Sequence, residues 1–350
     1  MRGEDLGALP RRLDDALGLG GAHKSTPEDF AVEELPAYEA SGGAHLHLVL
    51  RRAGRNTHDL ARELAALLGA REDEVGYAGR KDRHAVTTQA FTVHAPDLEP
   101  DEAASRVAAE LGVEVLAASR HGNKLRLGHL RGNRFTLRIR GARAGAADLS
   151  RAALERLAAE GAPNYFGAQR FGRGGDNVAR GLAILRGRRA PRRERDLMVS
   201  ALQAALFNDW LARRSEDGLL DVLLEGDLAR TARGGLFDVE DAAVEAPRLA
   251  AGEIEITGPI FGAKMRAAGG AAGLREAAVL ANHGLAPADF RPVRAEGSRR
   301  PALLRPREVA VTTRDGDPVL SFVLPKGAYA TVLLRELGVE NDASLRREED

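Results

Sequence analysis

The chain has no cysteine, and this absence limits the chemistry available to it. Without thiols there is no disulfide framework, no thiolate nucleophile and no cysteine-ligated metal site, which excludes cysteine hydrolases and the zinc base deaminases with cysteine ligands. No apolar run approaches the roughly 20 residues that a membrane-spanning helix requires. The first thirty residues mix acids and bases without the apolar block of a signal peptide. We therefore expect a cytoplasmic protein with no membrane partner.

Lysine is also scarce. Of 51 basic residues only five are lysine, at positions 24, 81, 124, 264 and 326, so arginine is the usual cation of this chain. Lysine carries a compact ammonium whereas arginine carries a planar fork, so a position that keeps lysine indicates a site needing a point charge. Chance is the alternative, but Lys24, Lys81 and Lys326 lie in segments that are unusual for other reasons.

The net charge is zero, yet the basic residues are concentrated in two segments. Residues 120–143 contain eight Lys or Arg and no acid, and residues 170–195 contain nine basic residues against two acids. Such segments are often only solvated faces. Here apolar residues alternate with the bases from Leu125 to Ile139, as in strands with one side on a core and the other on a ligand. This pattern favours a nucleic-acid partner.

The order of elements indicates an α+β protein with antiparallel sheet. Residues 28–36, 45–54 and 86–95 have strand patterns, and residues 56–69 have the apolar spacing of a helix capped by Asn56 or Thr57 and stopped by Gly69. Residues 101–112 predict a second helix, and residues 122–130 and 133–141 predict a hairpin-like pair of strands. From about Asp148 long Ala/Leu/Arg helices follow, and strand patterns return only at 308–325. A helical insertion in one α/β core explains this order.

Asp82 is the foremost candidate for catalysis. It lies at the centre of residues 76–89, GYAGRKDRHAVTTQ, between Lys81 and Arg83 and close to Gly76 and Gly79. Flanking cations keep a carboxylate ionised, and glycines allow close approach of the backbone. These properties suit a nucleophile or a base.

A second unusual segment covers residues 163–177, PNYFGAQRFGRGGDN. It alternates the aromatic residues Tyr165, Phe166 and Phe171 with polar and basic residues, in a chain that is only 4% aromatic. The pattern predicts stacking planes and phosphate-binding cations, or equally a hinge with buried aromatics. His45 and His47 share a strand face, but no third ligand has convincing spacing, so packing or RNA contact is preferred to a metal site.

Five segments together resemble the TruD family of tRNA pseudouridine synthases. In chain order they are KSTPEDFAVEE with the downstream GGAHLHLVLRRAGRNT, then GYAGRKDRHAVTTQ, LRGNRFTL, PNYFGAQRFG and LPKGAYATVLLREL, spanning residues 24–337. The resemblance implies a pseudouridine-synthase-like core with a mixed or antiparallel sheet (1–155 plus 301–350) and an inserted, helix-rich α/β domain (156–300). It also implies isomerisation of uridine 13 in the D-arm of tRNA to pseudouridine, without cofactor or metal.

The resemblance also implies roles for individual residues. Asp82 would be the catalytic aspartate, Phe30 and Phe135 would contact the substrate, Asn133 would hydrogen-bond near it, and Lys81 would be a basic partner. The matched segments supply the remaining substrate-binding candidates, which are Lys24, Gln89, Tyr165 and Arg170. In a strand Lys81 would point away from Asp82's face, and a loop would relax this constraint.

Two other functions stay open. One is a non-catalytic RNA-binding protein on the same fold. The other is a glycoside hydrolase, which needs a second positioned acid such as Glu33 or Glu34 and leaves the basic segments unexplained. We expect tRNA as the partner, no protein partner, and a monomer.

Overall fold

The structure is a computed structural model that describes residues 9–13 and 18–341. The N-terminal segment considered for a signal peptide therefore lies partly outside the described residues. The helices are α1 Thr57–Leu67, α2 Pro100–Leu111, α3 Ala146–Glu160, α4 Asp176–Leu185, α5 Arg192–Glu216, α6 Ala242–Ala250, α7 Gly270–Asn282 and α8 Ala330–Glu336. The strands are β1 Ala22–His23, β2 Phe30–Pro36, β3 His45–Arg52, β4 Val75–Tyr77, β5 Val86–His94, β6 Glu114–His121, β7 Leu130–Arg138, β8 Ala162–Pro163, β9 Leu228–Thr231, β10 Leu236–Asp238, β11 Ile254–Ile260, β12 Ser298–Pro301, β13 Leu303–Leu304, β14 Arg307–Arg314, β15 Asp317–Pro325 and β16 Glu340–Asn341. Among these helices none is both long and apolar enough to cross a membrane.

The chain forms two compact units, each built from several segments. The first, which we call the sheet unit, comprises Asp15–Glu160, Pro306–Ala330 and Leu337–Asp350 as far as they are described. The second, the helix-rich unit, comprises Gly161–Arg305, Thr331–Glu336 and the described part of Met1–Asp14. The first boundary between the two units follows Glu160, whereas the core segment is expected from the sequence to end at residue 155. Helix α3 continues to Glu160 and packs on β14 and β15 of the sheet unit.

A mixed sheet forms the frame of the sheet unit. Its strand order is β14-β15-β7-β2-β5-β3-β6, and β4 pairs with β5 outside this path. The β2–β5 pair is parallel, and the pairs of β7 with β2 and β15 are antiparallel. The predicted α+β class with a mixed sheet is confirmed.

The two predicted helices of this unit pack on the sheet. Asn56 caps α1 by accepting a hydrogen bond from the Asp59 backbone N–H, as the sequence predicts, and Gly69 follows the helix with φ at 69°. The apolar stripes of α1 and α2 cover one face of β3 and β5 and bury a shared core, which includes Leu48, Leu60, Leu64, Phe91 and Val107. The apolar spacing of each segment is thus explained by this single core.

The predicted strand over 122–129 is wrong. These residues form a loop: the Leu125 N–H donates to Thr92 Oγ1 at 2.9 Å, and the Gly128 N–H donates to the Ala78 carbonyl at 2.8 Å. Leu125 is buried while Leu127 is 65% exposed, so an alternation of burial arises without a strand. Strand β7 pairs instead with β2 and β15, which are distant in sequence.

Helix α5 is the centre of the helix-rich unit. It packs on α4, α7 and β11, and β11 belongs to a four-stranded sheet of order β10-β9-β11-β12. Near its end Arg214 forms a two-point ion pair with Asp227, at 2.9 and 2.6 Å, and both side chains are at most 2% exposed. The sequence did not predict β9 to β12. Strands β9, β10 and β12 have only three or four residues, and β11 is buried at four successive positions, so none of them shows a clear period-2 pattern.

We predict that Gly132→Ala destabilises the protein. A Cβ at Gly132 in β7 would overlap the Leu324 carbonyl oxygen, and inserting a methyl group into packed backbone costs about 1–3 kcal/mol. Urea unfolding measures the change. Gly122→Ala is the matched control, since its Cβ would meet the Gly42 carbonyl oxygen at an ordinary 3.6 Å. Equal stabilities of the two variants would contradict the prediction.

Candidate active site

The register of β2 against β7 brings several predicted site residues to one face of the sheet. Phe30 is paired with Leu137 and Glu34 with Asn133, and β7 carries Phe135 two residues from Asn133. Directly paired residues share a face, and so do residues two apart in a strand. The sheet therefore places four residues on one side, namely Phe30, Glu34, Asn133 and Phe135, although β2 and β7 are far apart in sequence.

Phe30 and Phe135 form an aromatic floor on this face. Their ring centroids lie 6.1 Å apart in an edge-to-face arrangement, and Phe135 stacks on Phe322 at 5.7 Å. Both rings are largely buried, at 5% and 7% exposure. Asn133 lies beside them, and its Oδ1 is buried without a hydrogen-bond partner among the described residues. An unsatisfied buried acceptor is costly, so this amide is suited to receive a donor.

Asp82 lies in a loop at residues 78–85, between β4 and β5. Its Oδ2 accepts a hydrogen bond from the ammonium of Lys24, and its Oδ1 accepts one from the His84 backbone N–H at 3.1 Å. The same ammonium lies 4.3 Å from the centroid of the Phe30 ring. Lys24 thus connects the carboxylate to the aromatic floor.

The surroundings of Asp82 keep it ionised. Burial alone would raise its pKa, but the charge and hydrogen bond of Lys24, with the His84 N–H, outweigh burial, and the pKa lies below its ordinary value. The side chain is still 35% exposed, so a ligand can reach the carboxylate. An accessible, ionised carboxylate on an aromatic floor has the properties of a nucleophile or a base.

Lys81 contacts Glu34 rather than Asp82. Its ammonium lies 2.6 Å from Glu34 Oε2, and the two side chains are only 5% and 3% exposed. The neighbouring residues Lys81 and Asp82 thus have different partners, and Lys24 is the cation that contacts Asp82.

A buried polar network holds the loop just before Asp82. The Gln89 amide donates to the Gly79 carbonyl at 2.5 Å, and the Lys81 N–H donates to Thr57 Oγ1 at 2.9 Å. Arg52 joins the two, donating to Gln89 Oε1 at 2.9 Å and to Thr57 Oγ1 at 3.0 Å. Gln89 is fully buried in this network.

Two predicted site residues belong to the helix-rich unit. Tyr165 is fully buried, which raises its pKa, and the Arg335 guanidinium lies 5.9 Å from its ring centroid. Arg170 is half-buried and donates to the hydroxyl of Ser200. Phe171 is also buried, whereas Phe166 is half-buried. The segment therefore contains core aromatics as well as partly accessible groups.

The sequence did not identify the buried network of Arg52 and Thr57. Arg52 ends a strand and Thr57 begins a helix, and only their tertiary contacts distinguish them from surface residues. The histidines pair as rings: His45 lies 5.1 Å from His94, and His47 lies 5.8 Å from His121. In the described part of the chain no group of three or more histidines or acids is placed to hold a metal ion.

Comparison with known proteins identifies the family. The sequence profile described as tRNA pseudouridine synthase D (TruD) matches residues 11–190 and 188–337. A tRNA pseudouridine synthase D of Anaeromyxobacter dehalogenans (strain 2CP-C) is 47% identical over 357 residues, covering 97% of this chain and 99% of the relative. The chain belongs to the TruD family.

Further TruD relatives agree with this assignment. A tRNA pseudouridine synthase D of Thermus thermophilus is 44% identical, covering 94% of this chain and 91% of that one. A crystal structure from Methanosarcina mazei, described as that of a candidate tRNA pseudouridine synthase D (TruD), superposes with a TM-score of 0.74 at 24% identity. It covers 97% of this chain and 96% of that chain, which shows that the fold is shared.

Glu34→Gln is expected to destabilise this TruD protein by about 3 kcal/mol or more, because it leaves the buried ammonium of Lys81 without a counter-charge. Urea unfolding near neutral pH measures the loss. Glu33→Gln is the control, since Glu33 lies on the opposite face, 50% exposed and 3.2 Å from Arg134, where an ion pair contributes under about 1 kcal/mol. A loss for Glu34→Gln no larger than for Glu33→Gln would contradict this interpretation.

Protonation of His23 is expected to lower the free energy of unfolding in mild acid. Burial, with the adjacent charge of Lys24, lowers the pKa of His23 from 6.5 to about 4, although Asp82 opposes the shift. The unfolded chain takes up this proton below pH 6.5 but the folded protein only near pH 4, so the free energy of unfolding falls through that window. The expected fall is about 3 kcal/mol.

Urea unfolding between pH 7.5 and 4 tests this dependence, with His23→Gln beside wild type. The fall above pH 4 should be smaller in the variant than in wild type by the contribution of His23, whereas His58→Gln, at an exposed position of α1, should keep the full fall. The lowered pKa values of His45 and His47 contribute to the fall that remains in every variant. Asp82 contributes its own loss only below its ordinary pKa of 3.8, outside this window. Parallel curves for wild type and His23→Gln would refute the assignment.

Proposed function

We propose that this chain is a tRNA pseudouridine synthase, an isomerase that converts uridine 13 in the D-arm of tRNA to pseudouridine with Asp82 as its catalytic carboxylate and without a cofactor. Family membership over nearly the whole chain supports the reaction type. The observation that carries the residue assignment is the ion pair of Asp82 with Lys24 above the Phe30–Phe135 floor.

The reaction needs few groups from the protein. The N1–C1′ bond of uridine breaks, the base turns, a C5–C1′ bond forms, the C5 proton leaves and N1 acquires a proton. No net oxidation occurs, so one ionised carboxylate near the ribose and groups that hold the base are sufficient. Asp82 acts either by adding to C1′ or by removing the C2′ proton to give a glycal, and both routes need it ionised. The Lys24 ammonium favours that state.

We assign contact with the substrate base to the aromatic floor. A base inside folded RNA must be flipped out before it can turn, and it is then held by stacking and by contacts to its edge. Phe30 and Phe135 are suited to contact the uracil ring. The unsatisfied Oδ1 of Asn133 is suited to accept a hydrogen bond from the uracil N3–H. These three residues keep the substrate-binding roles that the resemblance implies.

Lys81 and Gln89 have a different role in this proposal. Both are buried, and their contacts run to Glu34 and to the Gly79 carbonyl rather than towards Asp82. We assign them to positioning the Asp82 loop. Lys24 takes the part of the basic partner.

The rival functions find less support. A glycoside hydrolase needs a second available acid, but Glu34 is buried against Lys81 and Glu33 lies on the opposite face with Arg134. A purely RNA-binding protein has no need of an accessible carboxylate whose pKa is lowered by an adjacent ammonium.

The test is tritium release from an unmodified tRNA transcript labelled at uridine C5, without added cofactor. We expect release by wild type and a loss of at least about a thousandfold in kcat with Asp82→Asn, while that variant still binds the tRNA. Asp97→Asn, which alters an exposed carboxylate, is the control and should match wild type. No release from a transcript that wild type demonstrably binds would favour the RNA-binding function instead.

The identity of the modified uridine is tested separately, with a tRNA transcript in which cytidine replaces uridine 13. Release should disappear if uridine 13 is the target. Undiminished release would assign the enzyme to another uridine and leave the role of Asp82 intact.

A further inference from the structure

A basic cavity in the helix-rich unit is not used by the chemistry assigned to Asp82. Its volume is about 380 Å³, within the range of small-ligand sites. It lies between the turn Ala168–Arg170, helix α5 and strand β12, and its walls include Phe166, Arg170, Ser200, Ser298, Arg299 and Arg300. No carboxylate is among the lining residues. Three arginines around one cavity without an acid indicate a site for an anion.

The positive charge of this cavity is only partly compensated by the protein. Arg299 pairs with the buried Glu276 at 2.7 Å, so its charge is matched and its side chain forms a fixed wall. The Arg170 guanidinium contacts the neutral hydroxyl of Ser200 and forms no ion pair with any carboxylate in the described part of the chain. Arg170 therefore brings to the cavity a charge that a ligand can neutralise.

Arg300 gives the cavity a planar surface. It donates to the backbone oxygen of Asn164 at 3.1 Å and to the Asn164 Oδ1 at 2.6 Å, and both acceptors are neutral. Its guanidinium also lies 4.1 Å from the centroid of the Phe166 ring, and Phe166 packs edge-to-face on Phe207 at 5.6 Å. A guanidinium and an aromatic ring in contact are both groups on which a nucleobase can stack.

We propose that this cavity binds one nucleotide of the substrate RNA, with Arg170 pairing with its phosphate and the Arg300–Phe166 stack facing its base. The ligand class follows from the combination of an uncompensated cation and a cationic stacking plane, since an acidic peptide needs no stacking plane. The inference rests on the proposed function, because it takes RNA as the substrate. It adds a second RNA contact, on the unit that does not contain Asp82.

The experiment compares full-length variants in equilibrium binding of a fluorescein-labelled, unmodified tRNA transcript across a series of salt concentrations. Arg170→Gln should raise Kd about tenfold, as expected for the loss of one charge-assisted hydrogen bond. It should also make the slope of log affinity against log salt shallower by about one unit. In tritium release KM should rise while kcat stays within about twofold.

Three matched variants separate ligand binding from damage to the cavity. Arg170→Lys keeps the charge and should keep the salt slope of wild type. Ser200→Ala removes the hydroxyl partner of Arg170 but keeps the cation, and should bind with nearly the affinity of wild type. Arg230→Gln removes an arginine of the same unit whose charge Glu255 already neutralises at 2.7 Å, and should leave the slope unchanged.

The outcomes decide between the interpretations. An Arg170→Gln variant with the Kd and slope of wild type would overturn the inference, and so would equal losses in Arg170→Gln and Ser200→Ala, since these would indicate a disturbed cavity. Inorganic phosphate is the second probe: if it binds wild type through Arg170 while tRNA affinity is insensitive to Arg170, the cavity is an anion site only and the inference fails. If wild type binds tRNA but releases no tritium, the proposed isomerase fails, and the binding contrast still tests the cavity.

Discussion

The buried ion pair of Lys81 with Glu34 is the interaction on which the geometry of the candidate site depends. Both side chains are almost completely removed from solvent, and a charge in such a place is tolerated only with a partner at hydrogen-bond distance. Lys81 is thereby fixed to β2, and its backbone N–H is fixed to Thr57. The next residue, Asp82, has a different partner: its carboxylate accepts a hydrogen bond from Lys24, whose ammonium lies over the Phe30 ring.

Two lysines next to a single aspartate therefore serve separate purposes. Lys81 fixes the loop from the buried side, together with Gln89 and Gly79. Lys24 acts from the accessible side and lowers the pKa of the Asp82 carboxyl against the effect of burial. A compact ammonium fits both places, which explains why an arginine-rich chain keeps lysine at these positions. The arrangement separates the rigidity of the loop from the ionisation of its carboxylate.

The helix-rich unit uses arginine in two different ways. Arg214 and Arg299 of the helix-rich unit are buried against Asp227 and Glu276, where matched charges organise the interior around α5. Arg170 contacts the neutral hydroxyl of Ser200 at the wall of a cavity instead. Burial with a carboxylate therefore distinguishes a structural arginine from one that is available to a phosphate, and residue type alone does not.

Much of the local structure was predictable from the sequence. The apolar spacing and the Asn56 cap define α1, the alternation of 86–94 defines β5, and the residues around Asp82 mark the candidate carboxylate. The loop at 122–129 imitates a strand because one leucine is buried and the next is exposed. Strands β9, β10 and β12 are too short for a periodic pattern, and β11 is buried at four successive positions. The hydrogen bonds of Leu125 and Gly128, and the pairing of β11 with β9 and β12, join residues distant in the chain, whereas β9 and β10 form a local hairpin.

The sequence by itself determined the family and the α+β class and singled out Asp82 as the candidate carboxylate, since motifs and periodicity are local properties of the chain. Only the tertiary structure decided which lysine contacts Asp82, since Lys24 lies 58 residues away and Lys81 is adjacent. It also decided that Gln89 is buried and that Arg170 lines a cavity with Arg300. The physical reason is that the direction of a side chain and its charge partner depend on strand register and loop packing, which are fixed by contacts between distant segments.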